Sequence, residues 1–152
     1  MESFRYSRAP SILLREGPRI PIDISAISSE IREGKLVGLE IPAIPLRISG
    51  LIDTGSSFTV VSPEIDKQCK LRATGYNATV ASMKNVGEYP EYAAWIRFPG
   101  TGLQELDGTP VVVIEIKQVN PPRYDCIIGR DILQRWLLTY NGGGTVSIQE
   151  LH

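Results

Sequence analysis

The sequence predicts an all-β chain rolled into a small closed barrel. Three observations carry this. Runs that alternate apolar and polar residues, or that are rich in Val and Ile, recur along most of the chain; a single convincing helix stands near the end; and no linker, low-complexity block or repeat divides the 152 residues. A chain of that length buries a core without disulfide staples. One domain over residues 1–152 is expected, with 1–17 loosely held and the core over about 18–151.

Residues 19–27, RIPIDISAI, place isoleucine at 20, 22, 24 and 27 and read as a half-buried strand. Ser28 or Ser29 then caps a short helical turn carrying Glu30 and Glu33, which Gly34 stops. Residues 39–49 contain Pro42 and Pro45, which lack the N–H that a central strand donates, so this segment begins as edge or loop. LRISGLIDTG, residues 46–55, runs as a strand into a turn. FTVVS, residues 58–62, favours strand, and Pro63 suits the first position of one helical turn over 63–69.

Residues 78–98 read as a hairpin whose tip, around 82–87, has turn chemistry in Lys84-Asn85 and Gly87. Residues 109–119, nearly continuous Val and Ile at first, predict a core strand. A short strand at 125–128 leads through Gly129 to a helix over 130–136, with Asp131 where the helix dipole favours an anion. A final hairpin, 137–151, turns at 142–144; Trp95 and Trp136 read as packing residues.

Composition removes several function classes. Sixteen Lys and Arg against 17 Asp and Glu give no electrostatic footprint for nucleic acid or an anionic membrane. No apolar run approaches the roughly 20 residues of a membrane span, and the start has no secretory pattern. The two cysteines, Cys69 and Cys126, are expected as reduced thiols of a cytoplasmic protein, and their spacing fits no metal site. The single histidine, His152, is the last residue, a poor place for the base of a Cys-His or Ser-His-Asp arrangement. Neither a phosphate-binding loop nor a dinucleotide fingerprint occurs, and no metal or other cofactor is expected.

Chemistry gathers at Leu51-Ile52-Asp53-Thr54-Gly55-Ser56, where an apolar strand presents an acid at a turn. Alone, this is ordinary turn composition. Together with DCIIGRDILQ, residues 125–134, it resembles the retropepsin family of aspartic proteases. The parts stand in the family's order: Asp53–Ser56, a β-branched strand at 58–61, a hairpin flap at 78–98, a strand at 111–116, and an apolar pair with Gly-Arg-Asp and a helix at 127–133. The resemblance covers roughly residues 46–140, and GPRIPIDI and SEIREGK look like segments of bacterial single-domain relatives.

The resemblance implies an acid-protease barrel with a flap hairpin and one short C-terminal helix. It also implies peptide hydrolysis by water activated between two carboxylates that share a proton. The chain holds one Asp-Thr-Gly and is too short for a two-lobed enzyme, so the second acid is expected from a second copy in a C2 homodimer acting on an extended peptide. Asp53, Thr54 and Gly55 are then the catalytic segment, with Thr54 bonding across the axis and Gly55 letting substrate approach. Ser56 is expected to donate its hydroxyl to the carboxylate, favouring the ionised form and an acidic to mildly acidic optimum.

Arg130 matches the family's helix arginine. In viral relatives that arginine pairs with an acid, but Ser57 and Phe58 stand there in this chain, leaving it backbone carbonyls, another acid or the other subunit. Phe58, Met83, Lys84, Val86 and Ile128 are expected to line the substrate pocket. Residues 137–151 are expected to support dimerisation, since retropepsins pair terminal strands between subunits. The flap tip carries one glycine where viral flaps are glycine-rich, which keeps a second reading open: a non-catalytic dimer of this fold acting as a peptide-binding or scaffold module.

Overall fold

In the computed structural model, which describes residues 4–27, 29–32, 35–38, 45–81, 86–118 and 123–151, the alternating segments close into a barrel. The chain begins with β1 (Phe4–Ser7) and α1 (Pro10–Glu16), followed by β2 (Arg19–Ala26), β3 (Ser29–Arg32) and β4 (Lys35–Gly38). Next come β5 (Leu46–Ile52), β6 (Val60–Val61), α2 (Pro63–Cys69), and the long strands β7 (Arg72–Ala81) and β8 (Val86–Arg97). The chain ends with β9 (Leu106–Val113), β10 (Cys126–Ile128), α3 (Arg130–Leu133), β11 (Trp136–Asn141) and β12 (Thr145–Glu150).

Six strands form the ring, in the order β2-β5-β10-β6-β9-β8, and β8 pairs back onto β2. β7 extends from β8 as a hairpin arm outside the ring. Closure removes the open edges that a flat sheet of these strands would present. The interior is filled by alternate side chains: Ile20, Ile22 and Ile24 of β2, Ile48 and Ile52 of β5, Ile128 of β10, and Ile96 of β8. Trp136 meets Phe98 edge-on, with ring centroids 5.0 Å apart, and joins the β1-β12-β11 sheet to this core.

Four local expectations change. The Ser29 turn is not helical: β3 and β4 pair antiparallel, because four residues of capping chemistry cannot meet the cost of helix nucleation once a cross-strand partner is available. Residues 4–17, expected to be loosely held, are tied down, with β1 paired to β12 and Leu13 of α1 buried. The strand expected at 109–119 runs instead from Leu106 to Val113, since its pairing with β8 reaches Ile96↔Leu106. The helix stops at Leu133, and Trp136, drawn into the core, starts β11. The helix at 63–69, the strand at 126–128 and the final hairpin stand where the pattern puts them.

β2 is buried well beyond half. Asp23 and Ser25 point away from Ile22 and Ile24, yet they are covered as well. Asp23 lies opposite Arg47 of β5 on one side and Arg97 of β8 on the other. Its carboxylate bonds both guanidinium groups, with Arg97 Nη2 at 2.7 Å and Arg47 Nε closer still. The charge pair thus sits where the ring closes. The Arg47 hydrogen bond, supported by Arg97 and opposed by burial, holds the Asp23 carboxyl below its ordinary value of 3.8.

A second constraint lies at one end of the barrel. β5 and β10 run parallel and in register, with Ile52 beside Ile128, so the chain leaves both strands at the same level. Phe58 then passes directly over Gly129: a Cβ on Gly129 would stand 2.4 Å from the Phe58 carbonyl oxygen. Asp131 locks the crossing, accepting from Thr59 N at 2.9 Å and from Thr59 Oγ1 at 2.7 Å, while Gly129 N donates to Thr59 Oγ1 at 3.2 Å.

Two outcomes follow. Because the Asp23 pKa is depressed in the folded chain, its contribution is complete above the ordinary carboxylate range and is lost as pH falls through the depressed value. Asp23→Asn is expected to cost on the order of 2 kcal/mol at pH 7 in urea unfolding and to flatten the acid limb of stability below about pH 4. Gly129→Ala places a methyl against fixed backbone and is expected to cost roughly 3 kcal/mol in the same measurement, more than Ala at any exposed glycine of this chain.

Candidate active site

β5 alternates cleanly. Ile48, Gly50 and Ile52 face the core, so Leu51 and the residue after the strand, Asp53, face outward. Asp53 stays tied to the sheet, its N–H donating to Ile128 O at 3.0 Å. The chain then turns: Ser56 N donates to Asp53 O at 3.2 Å, and Gly55 N donates to Asp53 Oδ1 at 2.8 Å. The carboxylate is therefore aimed by its own loop and remains partly open to solvent.

Arg130, the first residue of α3, braces this loop. Its Nη1 donates to Thr54 O and its Nη2 to Ser57 Oγ, both at 2.8 Å, and its backbone N–H donates to Ser56 O at 2.8 Å. These acceptors are a carbonyl and a hydroxyl, where the viral pattern has an acid. Thr54 and Gly55 stand exposed at the tip.

Two expectations fail on geometry. The Ser56 hydroxyl donates to Phe58 O at 2.7 Å, because the chain must bend there to cross Gly129, and it is the Gly55 N–H that reaches the Asp53 carboxylate. The argument for an acidic optimum from Ser56 loses its donor. Ile128 does not line a pocket: it is fully buried in the core, since it pairs with Ile52 and shares that residue's inward face. Its neighbour Ile127, level with Leu51, is the outward residue, and the period-two alternation around Ile52 already carried that signal.

Phe58 is half-buried beside Gly129, and Val86, at the start of β8, is 73% exposed. Met83 and Lys84 lie outside the described residues. Thr59 and Asp131, which set the loop crossing, were not expected as a pair: the Asp131 side chain serves a residue 72 positions away rather than only its own helix end.

Other chemistry is poorly placed among the described residues. Burial pushes both thiols upward, with Cys126 wholly enclosed and Cys69 half-covered against Ile24 O, so neither is a ready nucleophile. A cavity of about 810 Å³ lies between β1, α1 and the strands β2 and β5, and Asp53 is not among its lining residues. Its two carboxylates are paired, Asp125 with Arg123 at 2.8 Å and Glu16 with Arg15 at 3.4 Å. No described helix is long and apolar enough to cross a membrane.

No family model and no curated protein matches the chain in sequence. Among solved structures, the chain is similar to the EIAV protease complexed with the inhibitor HBY-793, at a TM-score of 0.50 and 21% identity, over 80% of this chain and 88% of that one. A retropepsin-like aspartic protease from Rickettsia conorii superposes at a TM-score of 0.49 and 10% identity, over 96% of this chain and 90% of that one. With its closed barrel, hairpin arm and short helix after Gly129, the chain has the retropepsin-like fold expected from its two motifs.

Proposed function

We propose that the chain is one protomer of a homodimeric aspartic endopeptidase that cleaves extended peptide segments. The observation that carries this reading is Asp53: an outward carboxylate at the end of a core strand, aimed by Gly55 N–H, on a loop clamped by Arg130 and by the Phe58–Gly129 crossing. So much local bracing of a partly open, outward-facing acid serves no evident packing purpose. In the dimer, the two Asp53 carboxylates face each other across the axis and share one proton, the standard arrangement of aspartic proteases.

The ionised carboxylate takes a proton from water as the water oxygen bonds to the peptide carbon. The protonated one donates to the carbonyl oxygen. Collapse of the tetrahedral diol breaks the C–N bond: the carboxyl that took the water proton gives it to the leaving amine, while a diol hydroxyl returns its proton to the other carboxylate, restoring the shared state. Thr54, exposed at the loop tip, is assigned to the partner loop, and Gly55 leaves room for substrate. The β7–β8 arm is assigned to the extended peptide, backbone to backbone.

For the partner contact we assign the outer edge of β11. β12 cannot serve, because both of its edges are filled by β1 and β11 of its own chain. β11 follows directly from α3 and exposes Leu137 and Tyr140, and an antiparallel strand pairing with its own copy satisfies a C2 axis.

Incubation with denatured protein across pH 3–7, with and without pepstatin, tests the activity. Asp53→Asn is expected to lower cleavage at least about a hundredfold while sedimentation still reports a dimer. An Asn variant that cuts as well as the unsubstituted chain would overturn the reading. A dimer that binds peptide without cutting it would establish the peptide-binding module instead.

A further inference from the structure

We propose, resting on the protease reading above, that helix α1 forms one wall of the substrate groove and that Leu14 selects a large apolar side chain next to the scissile bond. α1 is tied to the catalytic strand. Gly17 ends the helix with φ +71° and its N–H donating to Leu13 O at 2.9 Å. The next residue, Pro18, accepts from Ile52 N at 2.9 Å, one residue before Asp53, and Arg19 stands opposite Leu51 in the β2–β5 ladder.

The contact is close. A Cβ on Gly17 would lie 2.8 Å from Leu51 Cδ1, so the Leu51 side chain rests on the end of the helix. Leu13 anchors α1 in the interior, while the adjacent Leu14 is 83% exposed. Beside them a groove of about 270 Å³ is lined by Leu14, Arg15, Glu16, Gly17, Arg19, Leu51 and Tyr124; Asp53 is not in this lining but follows Leu51 by two residues.

Its charges are engaged. Arg15 pairs with Glu16 at 3.4 Å, the Arg19 guanidinium lies 4.6 Å above the Tyr124 ring, and Arg19 Nε donates to Glu16 O at 2.9 Å. What remains for a ligand is the apolar surface of Leu14 and Leu51. The occupant follows from continuity with the acid. Leu51 and Asp53 share the outward side of one strand, about 7 Å apart along it, so a peptide held at Asp53 lays a neighbouring side chain against Leu51. A charged side chain there would lose water without gaining a partner, whereas an apolar one buries surface on both sides.

The test uses two sets of labelled peptides that differ only at the residues flanking one central bond, Leu or Phe in one set and Glu or Lys in the other. Cleavage by the unsubstituted chain is expected to favour the apolar set. Leu14→Glu is expected to lower kcat/KM for that set roughly tenfold or more and to raise the relative rate on the Lys peptides, with Leu14→Ala between the two. Binding of the same peptides by fluorescence anisotropy, in an Asp53→Asn background with and without Leu14→Glu, reads the groove without chemistry. Loss of the apolar preference in the double variant supports the assignment; equal preference with and without Leu14→Glu overturns it. Apolar-selective binding without cleavage by the unsubstituted chain would retain the groove and overturn the protease reading instead.

Discussion

The site depends on two parallel strands ending side by side. β5 and β10 are joined in register, Ile52 beside Ile128, and each hands its chain to a loop at the same end of the barrel. The first loop carries Asp53, and the second begins with a residue that must be glycine, because Phe58 lies across it. Once that crossing forms, the Asp53 loop has little freedom. Its base is bonded to Ile128, its tip carbonyl to Arg130, and its far end to Asp131 through Thr59. A partly open acid is held by backbone geometry rather than by a burying pocket, which suits the proposed role of a group that meets both substrate and a second carboxylate.

The barrel supplies what this crossing needs in order to persist. Asp23 joins β5 and β8 through β2 by charge, at the seam where a ring of short strands has few residues to spare for pairing. A buried carboxylate with two half-exposed arginine partners fixes register more sharply than another isoleucine, since a one-residue slip would strand the charge. Register in β5 in turn decides that Asp53 faces outward. The charge pair and the site are thus linked through the alternation of one seven-residue strand.

Much of this was legible in the residues. The strand runs, the helix after Pro63, the final hairpin, and the two motifs about 70 residues apart lead to the observed fold, because periodicity and Gly, Pro and Asp placement act locally. Where local chemistry competed with a distant partner, the reading failed. Ser29–Arg32 looks like a capped turn until β4 offers it a ladder. Phe4–Ser7 look unheld until β12 pairs with them as β1. Ser56 has an ideal acceptor two residues on in Phe58 O, but only the bend imposed by Gly129 brings it there.

By itself, then, the sequence determined that an all-β chain carries one acid in an Asp-Thr-Gly turn and a matching Ile-Ile-Gly-Arg-Asp segment, since both are short patterns whose spacing survives any folding. Only the tertiary structure decided which isoleucine of that pair faces out, which donor reaches the Asp53 carboxylate, what Arg130 holds without an acidic partner, and that α1 borders the same strand. The physical reason is reach. A hydrogen bond acts over about 3 Å and a packing contact over about 4 Å, so their partners are chosen by the crossing of strands far apart in the chain and not by neighbours along it.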